Sequence, residues 1–132
     1  MNILKGNISA IQNQGHICLV SISIETDVFT SLVIEKIGSA DYLEVGKAVS
    51  LHFKETEIIL SKSKEIPTSL SNVFHCTIDK IEEGSILSKV YLNYLSEKLH
   101  AIITTQVLQS MELNEKDEIF AFVKDNEIML SN

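Results

Sequence analysis

The chain has 132 residues, a formal net charge of −7, 45% hydrophobic residues and no Trp. All 11 of its basic residues are Lys, so it lacks both a phosphate-neutralising surface and the guanidinium fork that grips anions, and nucleic acid is excluded as a partner. Cys18 and Cys76 are too few for a disulfide framework, and no apolar run approaches the ~18 residues of a membrane span, so a cytoplasmic protein with no membrane partner is expected.

The sequence states one pattern twice. Adding 70 to a position carries Asn2 to Asn72, Leu4 to Phe74, Ile8 to Ile78, Leu43 to Leu113, Val49 to Ile119, Lys54 to Lys124 and Leu60 to Leu130. Self-similarity at a fixed period marks two copies of one small unit. In the first copy Val20, Ile22 and Ile24 alternate with Ser21 and Ser23, the period of a strand with one buried face. Glu35 to Leu43 has a weak helical pattern before the Gly46 turn. Val49, Leu51 and Phe53 then alternate with polar residues, and after Glu55 to Glu57 the apolar Ile58 to Leu60 is expected to close a hairpin with them.

Ser63 to Ser71, with the only proline, Pro67, reads as the connection. The second copy repeats the order with strands at Thr77 to Ile81, Lys89 to Tyr94 and Leu99 to Ile103, a helix at Thr105 to Leu113, and strands at Glu118 to Lys124 and Glu127 to Leu130. Phe120 and Phe122 make both faces of their strand apolar, which predicts that its outer face meets another domain or is fully buried. The expected fold is all-β, with two tandem OB-like five-stranded antiparallel barrels, each with one short helix. The expected boundaries are 1–63, a linker at 64–70, and 71–132. Units of about 60 residues are near the lower limit for an independent core, so packing between copies or between chains is expected, and with it an oligomer.

Several short motifs recur in the same order in both copies. Asn2-Ile3-Leu4-Lys5-Gly6-Asn7-Ile8 and Ser69-Leu70-Ser71-Asn72 open the units. Ala101-Ile102-Ile103-Thr104 precedes the second helix, with Leu32-Val33-Ile34-Glu35 as its counterpart. Leu43-Glu44-Val45-Gly46 and Leu113-Asn114-Glu115-Lys116 follow, and Lys54-Glu55-Thr56-Glu57-Ile58-Ile59-Leu60 and Lys124-Asp125-Asn126-Glu127-Ile128-Met129-Leu130 close the units. On these motifs the chain resembles the molbindin family, whose Mop domains belong to the TOBE group of oxyanion-binding modules.

The resemblance implies a homo-oligomer, a trimer of tandem domains, that holds molybdate or tungstate at interfaces between barrels and serves storage, buffering or delivery. It implies no catalysis and no cofactor beyond the oxyanion ligand. Carried over residue by residue, the oxyanion-binding candidates are Ser69, Ser71, Asn72, Thr104, Lys124 and Asp125, with Asn2, Lys54, Glu55 and Thr56 from the first copy. Asp125 and Glu55 would act through their backbone amides. Ser71 stands where the family has Arg, Glu35 where it has the loop Thr, and Val107 where it has a loop Ser. These departures support an alternative, an interaction or sensor module whose oxyanion sites are degenerate and which serves oligomerisation or contact with a transporter or regulator.

The chemistry is consistent with the donor types. Molybdate only accepts hydrogen bonds at neutral pH, whereas monohydrogen phosphate must also donate one, so a pocket of amides, hydroxyls and a Lys discriminates without any Arg. The bland readings are as concrete: Lys54 and Lys124 as surface lysines at strand ends, Ser69 and Ser71 as linker composition, Thr104 as a helix cap, and Asn2 and Asn72 as turn-fixing residues. His16, His52, His75 and His100 show no zinc-ligand spacing with Cys, and strand alternation sends His75 and Cys76 to opposite faces.

Overall fold

The computed structural model describes residues 1–34 and 41–132. In the first repeat β1 (Asn2–Gln14), β2 (Ile17–Ile24), β3 (Asp27–Ile34), β4 (Ala48–Phe53) and β5 (Ile59–Ser61) follow one another, with a 3-10 turn at Glu55–Glu57. The second repeat supplies β6 (Asn72–Glu83), β7 (Leu87–Tyr94), β8 (Glu97–Thr104), α1 (Thr105–Met111), β9 (Glu118–Val123), a 3-10 turn at Asp125–Glu127 and β10 (Met129–Ser131). Each strand of the second repeat begins 70 residues after its counterpart in the first. The helix expected over Glu35 to Leu43 falls largely on residues 35–40 and lies outside the described residues.

Local detail repeats at the same interval. Both long first strands carry a register shift, between Ile8 and Ala10 and between Ile78 and Lys80, which bends the strand. Gly46 has φ +93° and its amide donates to the Ile8 carbonyl at 2.8 Å; Lys116 has φ +72° and its amide donates to the Ile78 carbonyl at 2.7 Å. The second repeat thus keeps a left-handed turn that favours glycine even though a Lys occupies it.

The closing strands depart from the sequence reading. The two sheets run β10-β4-β1-β2-β3 and β5-β9-β6-β7-β8, all antiparallel. The last strand of each repeat therefore joins the sheet of the other, so Ile58 to Leu60 forms no hairpin with Val49 to Phe53. Leu60 pairs with Ala121, and Leu130 pairs with Leu51. The 3-10 turn carries the chain away from the strand it has just left, and β5 and β10 cross in exchange. Phe120 and Phe122 are buried because β9 is an interior strand, flanked by β6 and by Ser61 and Ile59 of the exchanged β5.

The core follows the exchange and is continuous across both repeats. Phe74 of the second repeat stacks on Phe29 of the first at 4.2 Å and on Phe53 at 5.2 Å, and Tyr94 meets Phe74 edge-on at 5.1 Å. The Tyr94 hydroxyl donates to Asp27 Oδ2 at 2.6 Å, which satisfies the one polar atom of a side chain that is otherwise buried. Burial and this hydrogen bond both push the Tyr94 hydroxyl above the ordinary phenol range. A unit of about 60 residues that buries too little alone is completed by sharing aromatics with its neighbour.

Candidate functional site

The asparagines at equivalent positions of the two repeats do the same thing in opposite directions. Asn72 is 1% exposed; its Oδ1 accepts from the Thr30 amide at 2.7 Å and its Nδ2 donates to the Thr30 carbonyl at 2.9 Å. Asn2 treats His100 identically, at 2.9 Å for both bonds. Each side-chain amide mimics a missing strand and satisfies an edge residue of the other repeat. Both therefore lie in strands as clamps between repeats, not in turns, and their side chains are committed to backbone groups.

Around each clamp the 3-10 turn of one repeat packs on an edge strand of the other: Asp125–Glu127 against β3, and Glu55–Glu57 against β8. In the Asn72/Thr30 junction the Thr30 and Ser71 hydroxyls lie 3.4 Å apart. Lys124, which precedes the turn, is exposed, and the Asp125 carboxylate has no hydrogen bond or ion pair among the described residues. Four sequence candidates, Ser71, Asn72, Lys124 and Asp125, thus belong to one junction.

The Asn2/His100 junction is built the same way but filled differently. Glu55 Oε1 lies 2.9 Å from His100 Nε2 and also pairs with the Met1 ammonium. The hydrogen bond from that ammonium, another from the residue's own backbone amide and a third from His100 hold the Glu55 carboxyl down at about 2, against the opposing pull of burial. Lys54 is exposed beside it.

Of the remaining candidates, Thr56 sits in the Glu55–Glu57 turn, and Thr104 and Ser69 lie elsewhere. Thr56 and Thr104, with Ile58, Val107 and Met111, line an open groove of about 380 Å³ between the first repeat's closing segment and the β8-α1 corner. Thr104 Oγ accepts from the Val107 amide at 3.3 Å and so caps α1, which occupies its acceptor while leaving its proton available. Ser69 is exposed in the segment 62–71, which carries no strand or helix. The structure does not bring Ser69 or Thr104 to either clamp.

Thr30 escaped the sequence reading, and His100 entered it only as a histidine without zinc-ligand spacing. They are equivalent positions, 70 residues apart, in the two edge strands, but Thr and His share no chemistry that would make the pair stand out. The buried thiol of Cys76, pushed up to about 12 by burial, is unsuited to nucleophilic chemistry. Among the described residues no group of His, Cys, Asp and Glu is placed to hold a metal ion, and no helix is long and apolar enough to cross a membrane.

Residues 68–130 match the family model of the TOBE domain. The fold is similar to that of the cytoplasmic molybdate-binding protein ModG in a molybdate-bound crystal, with a TM-score of 0.91 at 21% identity over 98% of this chain and 94% of that one. A molybdate-binding protein from Sporomusa ovata is similar at 25% identity and a TM-score of 0.50; the match covers 51% of this chain and 100% of that chain, so one repeat here corresponds to a whole molecule there. No curated protein matches the chain. Residues 68–130 are thus a TOBE domain, and the chain as a whole has the fold of the ModG structure, formed here from two repeats in tandem.

Proposed function

We propose that this protein binds molybdate or tungstate at junctions between its barrels, as a cytoplasmic storage, buffering or delivery protein without catalytic activity. The observation that carries this reading is the Asn72/Thr30 junction. There two hydroxyls lie 3.4 Å apart at the boundary between repeats, one of them on the strand against which the 3-10 turn that follows the exposed Lys124 packs. Such a set donates hydrogen bonds without an Arg and suits a tetrahedral dianion that only accepts them. Support comes from the TOBE match and from the two similar structures, each of a protein described as binding molybdate.

A homo-oligomer belongs to the same proposal. Ile59, Leu87 and Val107 are about half exposed beside the groove that holds Thr56 and Thr104, and a second chain packed there would cover them and bring its own opening segment near those hydroxyls. Calorimetric titration with molybdate, tungstate, sulfate and phosphate tests the reading. Heat is expected with the first two, and its absence from both would end the proposal. Lys124→Ala should weaken binding by about tenfold or more, the usual loss for one charge-assisted hydrogen bond.

The alternative, a module whose degenerate junctions serve assembly or contact with a regulator, is favoured by one observation, the carboxylate of Glu55 inside the Asn2/His100 junction. Native mass spectrometry separates the two, because a pure scaffold keeps the same oligomeric mass and binds no oxyanion.

A further inference from the structure

The two junctions of one chain are built from equivalent positions: Asn2 and Asn72, His100 and Thr30, Glu55 and Asp125. In one of them the donors have already found an anion. His100 Nε2, the Met1 ammonium and the backbone amide of Glu55 all converge on the Glu55 carboxylate. An ionised carboxylate only accepts hydrogen bonds, so His100 must carry its proton on Nε2 and point it into the junction. A carboxylate is itself an oxyanion, and it satisfies the kind of donor set that molybdate would need.

We propose that Glu55 is the resident anion of the Asn2/His100 junction, so that the two junctions of one chain are unequal and only the Asn72/Thr30 junction is open to a free oxyanion. This rests on the oxyanion reading above and specifies where in the chain that reading applies. The physical basis is competition within the molecule. A tethered carboxylate faces its donors at an effective concentration on the order of millimolar or more, which a scarce free dianion cannot match. The dianion would also have to enter beside the displaced negative charge. Asp125, the equivalent residue, makes no such bonds among the described residues, so at its junction the Thr30 and Ser71 hydroxyls are not engaged by a carboxylate of the chain.

The test is equilibrium dialysis of the full chain against molybdate, comparing wild type with Glu55→Ala and Asp125→Ala, with circular dichroism and a thermal melt to confirm folding. Glu55→Ala should show about a twofold rise in molybdate bound per chain, as removal of the tethered competitor opens the second junction. Asp125→Ala should leave the number unchanged. Should Glu55→Ala fail to fold, Glu55→Gln, which keeps the side-chain length, replaces it and is expected to raise the number as well. Molybdate bound by the Glu55 variant but not by wild type would overturn the inference that the Asn72/Thr30 junction is open. Binding by wild type with an unchanged number in a folded Glu55 variant would overturn this inference and leave the oxyanion reading standing. No binding by any of the proteins would overturn both.

Discussion

Replacing Asn72 with Ala removes two hydrogen bonds at once, and both end on the same residue of the other repeat. The lost pair, 2.7 Å to the Thr30 amide and 2.9 Å from Asn72 Nδ2 to the Thr30 carbonyl, is worth about 1–3 kcal/mol at the usual net value per bond. Asn72 is 1% exposed, so water does not readily replace its side chain, and leaving the Thr30 groups without partners adds a desolvation penalty of about 1 kcal/mol or more. The expected loss is therefore about 3 kcal/mol, on the order of 10 °C in melting temperature for a protein of this size. Urea unfolding of Asn72→Ala, Asn2→Ala and the double variant measures it. Asn2→Ala should behave alike, since its two bonds to His100 have the same geometry. If both single variants lose less than about 0.5 kcal/mol, within the range of ordinary surface substitutions, the clamps do not hold the repeats together and the reasoning fails.

Three further outcomes are expected. A Cβ at Gly6 would lie 2.6 Å from Ile22 Cγ2 and 2.8 Å from the Ser23 carbonyl oxygen, so Gly6→Ala should destabilise by about 1–3 kcal/mol in the same urea assay. Glu55 titrates well below its unfolded value of 4.5, at about 2, so its contribution is complete above about pH 4.5 and disappears as pH falls toward 2. With its side chain 22% exposed, solvent screening holds that contribution to about 1 kcal/mol or less; the stability gap between wild type and Glu55→Gln should close over that window, and a constant gap would contradict the assignment. Expressed alone, residues 62–132 retain β10 but lack β4, its pairing partner, and β5, which covers the edge of β9. Light scattering should find that half as a dimer formed by mutual exchange of closing strands, and a stable monomer would refute the exchange as a structural requirement.

The degree to which the site was legible in the sequence depended on how local each feature is. Lys124, Asp125, Ser71 and Asn72 could be named only through their places in the family motifs; Ser71 and Asn72 contact Thr30, and Lys124 and Asp125 lie at the turn packed on β3. The roles of Thr30 and His100 as partners of the two asparagines could not be read, because an edge strand supplies them through backbone groups that look the same in every residue. Glu55 was expected to contribute its amide, yet its carboxylate turns into the junction, drawn by an ammonium and an imidazole that lie far from it in sequence.

The sequence by itself determined that the fold is β, that it is duplicated and where most strands run, since alternation of apolar and polar side chains is a property of neighbouring residues and survives without knowledge of their partners. Only the tertiary structure decided which strand pairs with which. Backbone hydrogen bonds are chemically identical along every edge, so β5 has no local reason to prefer β9 over β4. The choice follows from the 3-10 turns at Glu55–Glu57 and Asp125–Glu127, which aim each closing strand across the boundary, and from a core whose aromatics come from both repeats.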